Sequence, residues 1–314
     1  MKIAVLDDYQ DVVKSLACFE LLKDHDVSVF TQTYSEADLV NKLQNVEALV
    51  LIRERTIITE SLLDQLPSLK VISQTGKVSN HIDPAVCERY GVKVLEGRGS
   101  PIAPSELCWA LIMSASRNLY AYGANLQNDI WQSSGKLGLG RTLSGLTLGI
   151  WGYGKIGQRI AQYAKAFDMN VSIWGSEASR EKAIADGFQA AESRAAFFKE
   201  SDVISLHLRL NEATQHIVSK EDLKLMKSDS LFVNTSRAEL LEPEALLNEM
   251  RAVPSKRAAV DVYVTEPAGL ANEPLLSLPN VLSTPHLGYV EQNSYELYFS
   301  IAFENIIKFE QGTL

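Results

Sequence analysis

The sequence predicts an α/β protein made of two parallel-sheet domains, one inserted into the other. Two observations carry this. Short apolar, β-branched runs alternate with amphipathic helical stretches almost from end to end, and most of those runs lack the polar alternation of a half-exposed strand. A glycine-rich turn at 152–157 then joins a strand to a helix and opens a second round of the same alternation. The length, 314 residues, suits about two domains of roughly 150 residues each.

In the first hundred residues the strand candidates are 2–6, 26–30, 47–52, 69–73 and 92–95, with helical patterns near 12–23, 35–43, 60–65 and 84–90. Five strands with intervening helices imply a parallel sheet with right-handed crossovers, a flavodoxin-like domain. The stretch 103–120, APSELCWALIMSASRNLY, is apolar on nearly every helical face and must be buried all round. It reads as one domain-crossing helix that also packs on a second subunit. The polar, glycine-rich segment 127–141 reads as a flexible crossing loop. Strands then recur at 146–151, 171–174, 203–208, 231–234, 258–262 and 281–283. Ser219 with Asp222 resembles a capping box before 223–227, and Pro243 suits the first turn of the next helix. The closing segment 291–309 is amphipathic and long enough to return to the first domain. The expected division is therefore 1–100 plus 291–314 for one domain and 101–290 for the inserted one.

Charge and composition narrow the function. Thirty basic residues against thirty-nine acidic ones give a net charge of −9, and such a surface repels nucleic acid. Three cysteines, Cys18, Cys87 and Cys108, are too few and too scattered for a disulfide framework, and no CxxC or HExxH points to a metal. No run of 18 apolar residues is present, so no membrane span is expected. Asp7 and Asp8 halt the first strand before a secretory apolar run could form, which points to the cytoplasm.

The turn Gly152-Tyr153-Gly154-Lys155-Ile156-Gly157 matches GxGxxG, follows the strand LTLGIW and opens a helix with Ile156, Ile160, Ala164 and Phe167 on one face. Gly152 permits a tight turn, Gly154 lets a pyrophosphate approach the backbone, and Gly157 lets helix and strand pack closely. The helix N-terminus would then hold the phosphates. A set of glycines that serves packing alone is the plainer reading, and the flanking strand and helix favour a dinucleotide site, hence a Rossmann-like cofactor domain. The next strand should end in a carboxylate for the adenosine ribose. It ends instead in Gly175, followed by Ser176, Glu177, Ser179 and Arg180. Two readings stay open: Arg180 binds a 2′-phosphate, or Glu177 bends back to the ribose. Arg237, Glu266 and His286 follow three successive predicted strands, at the sheet edge where ligands bind in open α/β folds. Asp261, inside the apolar AAVDVY, needs hydrogen-bond partners if buried.

These residues resemble the D-isomer-specific 2-hydroxyacid dehydrogenases, the family that includes D-3-phosphoglycerate dehydrogenase. The resemblance runs from IRERT at 52–56 to TPHLG at 284–288. Its most specific motifs are GYGKIG at 152–157, DVISLHL at 202–208, VNTSRAE at 233–239 and AAVDVYVTEP at 258–267. It implies Arg237, Glu266 and His286 as the catalytic arginine, glutamate and histidine, and Asp261 as the acid that holds the nicotinamide carboxamide. It implies cofactor contacts from Gly152, Gly154, Lys155, Ile156, Gly157, Ser176, Arg180, His207, Thr235, Ser236 and Gly288. Lys77 and Val78 fall on the loop whose backbone meets the substrate carboxylate, and Arg53 is a further substrate contact. The implied activity is hydride transfer between NAD(P)H and a small 2-oxo or D-2-hydroxy acid, with His286 as acid and base. The expected cofactor is NAD or NADP, used equally or with a lean to NADP, and the expected assembly is a homodimer. Departures from the family pattern are Gly175, Arg209 in place of the usual proline after His207, and the glycine-poor loop Lys77-Val78-Ser79-Asn80. The rival reading is a dinucleotide-sensing protein of the corepressor kind without turnover, which would have no need of all three catalytic residues.

Overall fold

Five strands make the first sheet: β1 (Lys2–Val5), β2 (Asp26–Val29), β3 (Ala48–Leu51), β4 (Val71–Gln74) and β5 (Lys93–Leu95). All pair in parallel in the order β2-β1-β3-β4-β5, the flavodoxin-like order. The computed structural model describes residues 1–314, and this sheet belongs to a unit of residues 1–100 and 290–314. β3 and β4 are buried along their whole length, as the unbroken runs ALVL and VIS require. The helices α1 (Glu36–Leu43), α2 (Glu60–Asp64) and α3 (Pro84–Arg89) start at Ser35, Thr59 and Asp83, whose side-chain oxygens accept first-turn N–H groups.

The helix expected over 12–23 is not formed. Two short 3-10 segments, Val13–Ser15 and Ala17–Leu22, stand there, separated by the extended Leu16. Asp8 caps the first segment, and Glu296 takes two amides that a continuous α-helix would use. Asp8 Oδ2 accepts from Val12 and Val13 N–H at 3.0 and 2.9 Å, and Glu296 accepts from Ala17 and Cys18 N–H at 2.7 and 3.1 Å. Glu296 lies on the closing helix, Gln292–Glu310, which packs on Ala17–Leu22 and β4 through buried Phe299 and Phe303.

The second unit, residues 101–289, opens with α4 (Ile102–Ser116) and α5 (Leu119–Leu126). Then follow β6 (Thr147–Trp151), α6 (Lys155–Ala166), β7 (Asn170–Trp174), α7 (Glu177–Ala185), β8 (Gln189–Ala190), α8 (Arg194–Glu200), β9 (Val203–Leu206), α9 (Lys220–Leu225), β10 (Leu231–Asn234), α10 (Ala245–Ala252), β11 (Arg257–Val260) and β12 (Val281–Ser283). The seven parallel strands run β12-β11-β10-β9-β6-β7-β8, so the first strand is central and the chain winds outward to both sides. Two parallel β/α sheets were expected of this sequence, and the second gains one short edge strand, β8, beyond the six expected.

Three local expectations are corrected. The helix expected over 103–120 is two helices, because buried Asn118 adopts a left-handed conformation (φ 53°) and its amide donates to the Gly138 carbonyl at 3.1 Å. One face of α4 is buried inside its own unit, where Cys108, Leu111, Ile112 and Ala115 share a core with Leu148, Ile150, Val233 and Ala259, while Ile102 is exposed and Leu107, Trp109 and Met113 are half-buried. The segment 127–141 is tied down, with a 3-10 turn at Gly135–Leu137 and the Leu137 carbonyl accepting from Arg257 at 3.0 Å. The capping box of Ser219 and Asp222 is present, but Pro243 stands outside α10, which starts only after left-handed Glu244.

Candidate active site

β6 and β7 lie side by side with Trp151 opposite Trp174, so the turns that leave them are neighbours at the carboxyl edge of the sheet. Gly152, at φ 102°, donates its N–H to the Trp174 carbonyl at 2.9 Å. A Cβ on Gly152 would fall 2.5 Å from the His207 carbonyl oxygen, and one on Gly157 would fall 2.1 Å from the Gly152 carbonyl oxygen. Only glycine fits at either position. Gly154 differs: a Cβ there meets nothing within 4 Å. It is also the N-cap of α6 and offers no side chain to the first-turn N–H groups of Lys155, Ile156 and Gly157. An open cradle of unfilled donors at a helix N-terminus fits a pyrophosphate.

The turn after β7 is glycine for a reason of its own. Gly175 sits at φ 154°, a conformation that strains any L side chain, and a Cβ there would lie 3.8 Å from Gly152 N. Ser176 caps α7, accepting from Ser179 N–H at 3.3 Å and donating to Ser179 Oγ at 3.0 Å. The Arg180 guanidinium stacks over the Trp174 ring at 4.9 Å, while Glu177 is exposed. No carboxylate occupies the strand end.

At the end of β9, His207 Nε2 lies 2.9 Å from Ser205 Oγ. Burial pushes its pKa down to about 4, so the ring is neutral at neutral pH. After β10, the buried Asn234 amide braces the turn that carries Thr235, Ser236 and Arg237: its oxygen accepts from Ser236 N–H at 3.0 Å and its nitrogen donates to the Arg237 carbonyl at 2.8 Å. Ser236 Oγ donates to the Leu206 carbonyl at 2.7 Å, and Arg237 Nη1 donates to the Ser236 carbonyl at 2.6 Å.

Asp261, fully buried after β11, holds three donors. Its Oδ1 accepts from Thr284 Oγ1 at 2.6 Å and Leu287 N–H at 2.7 Å, and its Oδ2 accepts from Gly288 N–H at 3.0 Å. Burial raises its pKa, and these hydrogen bonds oppose the shift. Gly288 thus spends its N–H on fixing the acid. Two residues beyond Thr284, His286 takes a left-handed conformation (φ 53°) and sets Nδ1 2.7 Å from Glu266 Oε2. The other oxygen of Glu266 accepts from Tyr263 N–H at 3.0 Å, so the carboxylate is held at both ends. The strands that deliver Arg237, Asp261 with Glu266, and His286 are adjacent in the sheet. Asn234 and Thr284 escaped the sequence reading, although a polar residue ending an apolar strand (LFVN, VLST) was a usable signal.

In the first unit, Arg53 follows β3 at φ 54° and donates its N–H to Thr75 Oγ1 at 3.1 Å. Its guanidinium covers Gly76, where a Cβ would fall 2.0 Å from Nη1. On the next residues, Lys77 Nζ pairs with Glu96 Oε2, and Val78 N–H donates to Glu96 Oε1 at 2.9 Å. No group of three or more His, Cys, Asp or Glu side chains is placed to hold a metal ion, and no helix is long and apolar enough to cross a membrane.

Residues 109–288 match the family model described as D-isomer specific 2-hydroxyacid dehydrogenase, NAD binding domain. The chain is 31% identical to a D-3-phosphoglycerate dehydrogenase of Methanocaldococcus jannaschii over its whole length, and spans 58% of the length of that protein. It is also 31% identical to a glyoxylate reductase of Thermococcus litoralis, with 88% of this chain and 84% of the relative covered. A crystal structure described as phosphoglycerate oxidoreductase from Vibrio cholerae O395 superposes with a TM-score of 0.98 at 64% identity, covering 99% of each chain.

Proposed function

The chain belongs to the D-isomer specific 2-hydroxyacid dehydrogenases, and from that premise we propose that His286, Glu266 and Arg237 interconvert a small 2-oxo acid and its D-2-hydroxy acid. The protein is an NAD(P)-linked oxidoreductase, and the bound nicotinamide supplies or accepts the hydride. The observation that carries the residue assignment is the 2.7 Å hydrogen bond from His286 Nδ1 to a Glu266 carboxylate that is itself pinned by Tyr263 N–H. Glu266 orients the ring through Nδ1, leaving Nε2 to donate a proton to the carbonyl oxygen during reduction and to recover it in the reverse direction. Arg237 polarises that carbonyl and anchors the carboxylate with its planar fork. Residues 101–289 bind the cofactor, with Asp261 accepting from the carboxamide, and this reading takes Arg53, Lys77 and Val78 as substrate contacts. A panel of small 2-oxo acids assayed with NADPH and NADH tests this: turnover of at least one is expected. Dinucleotide binding without any turnover would favour the sensing alternative.

The cofactor end supports a lean to NADPH. Gly175 leaves the end of β7 without a carboxylate to repel a 2′-phosphate, and Arg180 lies against Trp174 at that strand end. A charge-assisted hydrogen bond contributes about 1.5–3 kcal/mol, so Arg180→Gln is expected to weaken NADPH binding about tenfold or more and to leave NADH binding nearly unchanged. Fluorescence titration of both cofactors measures this. A native preference for NADH above about a hundredfold would give the ribose to Glu177. Gly175→Asp is the poorer test, because φ 154° would strain the new side chain.

A homodimer also belongs to this reading. Ile102 on α4 is exposed, and Leu119, Leu126, Ile130, Trp131 (74% exposed) and Leu139 (89% exposed) leave further apolar side chains bare over 119–139. Sedimentation is expected to give a dimer at micromolar protein, and Trp131→Asp to shift it toward monomer; a monomeric native chain would refute this. A reducing compartment, the cytoplasm, suits three free cysteines.

A further inference from the structure

β4 and β5 are parallel neighbours, so the residues that follow them emerge together at one edge of the first sheet. Lys77 and Val78 lie in the turn after β4, and Glu96 is the first residue after β5. Glu96 folds its carboxylate onto that turn, where Oε1 accepts from Val78 N–H at 2.9 Å and Oε2 pairs with Lys77 Nζ. A backbone N–H beside an ammonium is a receptor for a carboxylate, and here it holds one belonging to the chain itself.

We propose that Glu96 is an internal competitor for the carboxylate of the substrate, seated on Lys77 and Val78 until a 2-oxo acid displaces it. The proposal rests on the reading that this loop meets the substrate carboxylate. Two features make Glu96 a displaceable occupant. Its backbone is anchored, since its carbonyl accepts from Asn305 Nδ2 at 3.2 Å and the next residue, Gly97, donates its N–H to the Gly76 carbonyl at 2.9 Å. Its side chain is not enclosed: 40% of it is exposed, as is 70% of the Lys77 side chain. Swinging the carboxylate into water therefore leaves the loop standing and costs little, because an exposed ion pair is weak. The Lys77 hydrogen bond holds the Glu96 carboxyl below its ordinary pKa, so the competitor stays charged through the neutral range. Glu96 thus sets how much substrate is needed to fill the site and takes no part in the hydride or proton transfer.

The test compares Glu96→Gln, Glu96→Ala and Lys77→Gln in the full-length protein. Binding of oxamate, an unreactive analogue of a small 2-oxo acid, is titrated calorimetrically with saturating cofactor, and KM and kcat are measured for glyoxylate. Both Glu96 variants are expected to bind oxamate more tightly and to lower KM, each by about two- to fivefold with kcat little changed, the range left by removing one exposed charge-assisted contact. Lys77→Gln is expected to weaken both. If Lys77→Gln weakens binding while either Glu96 variant binds no better than the native chain, Glu96 supports the loop, the competition is refuted, and the loop keeps its substrate. If none of the three changes oxamate binding, the substrate reading of the loop fails and the proposal fails with it.

Discussion

His286→Ala is expected to lower kcat by about a hundredfold or more while leaving the dissociation constant of the cofactor within about twofold, the lower range for losing a positioned general acid. The split between the two readouts follows from where the ring stands. Its Nδ1 is engaged by Glu266 at 2.7 Å, its edge meets Tyr289 at 5.5 Å between ring centres, and the glycine turn that suits the phosphates lies after a different strand, β6. Alanine at φ 53° also carries a backbone penalty, so His286→Asn is the companion variant: asparagine tolerates the left-handed region yet cannot exchange a proton near neutral pH. Equal losses in both variants would assign the effect to the imidazole. Near-normal turnover in His286→Asn would remove the histidine from the mechanism. Glu266→Gln should lie between native and His286→Asn, since it keeps a hydrogen-bonding group beside Nδ1 but loses the charge-assisted bond that fixes the ring.

What the sequence made legible was decided by how local the physics is. The strands could be read because burial on both faces leaves a contiguous apolar run, as in ALVL of β3 and LFVN of β10. The glycine turn could be read because its spacing reflects a local contact, that of Gly157 against the Gly152 carbonyl five residues before it. The lost helix at 12–23 could not, because one of the carboxylates that capture its amides, Glu296, comes from the far end of the chain. The break at Asn118 depended on a carbonyl at Gly138, twenty residues on. Gly175 looked like a missing acid, and it is also a backbone position at φ 154° where a side chain is strained, a constraint no spacing reveals. Asp261 was singled out for needing partners, but their identity, Thr284, Leu287 and Gly288, required the fold. In the same way Lys77 and Val78 were named from the loop, while the carboxylate resting on them was invisible until β4 and β5 were paired.

Arg237→Lys is expected to lower kcat/KM by about ten- to a hundredfold, although the charge is kept, and to leave cofactor binding nearly unchanged. Asn234 fixes the turn by holding both Ser236 N–H and the Arg237 carbonyl, so the variant enters a braced backbone and the change is confined to the side chain. A guanidinium presents parallel N–H donors in a plane, able to meet a carboxylate oxygen and the neighbouring keto oxygen together; an ammonium on a flexible stem meets one at a time. Losing one charge-assisted hydrogen bond of about 1.5–3 kcal/mol gives the quoted range. The loss should fall on kcat as well as KM, because charge grows on the keto oxygen only as the hydride arrives, and a donor aimed there gains strength in the transition state. Lysine raising KM alone would assign Arg237 to carboxylate anchoring without polarisation. Full efficiency in the lysine variant would show that no bidentate contact is made at this position, and the assignment of Arg237 would then be withdrawn.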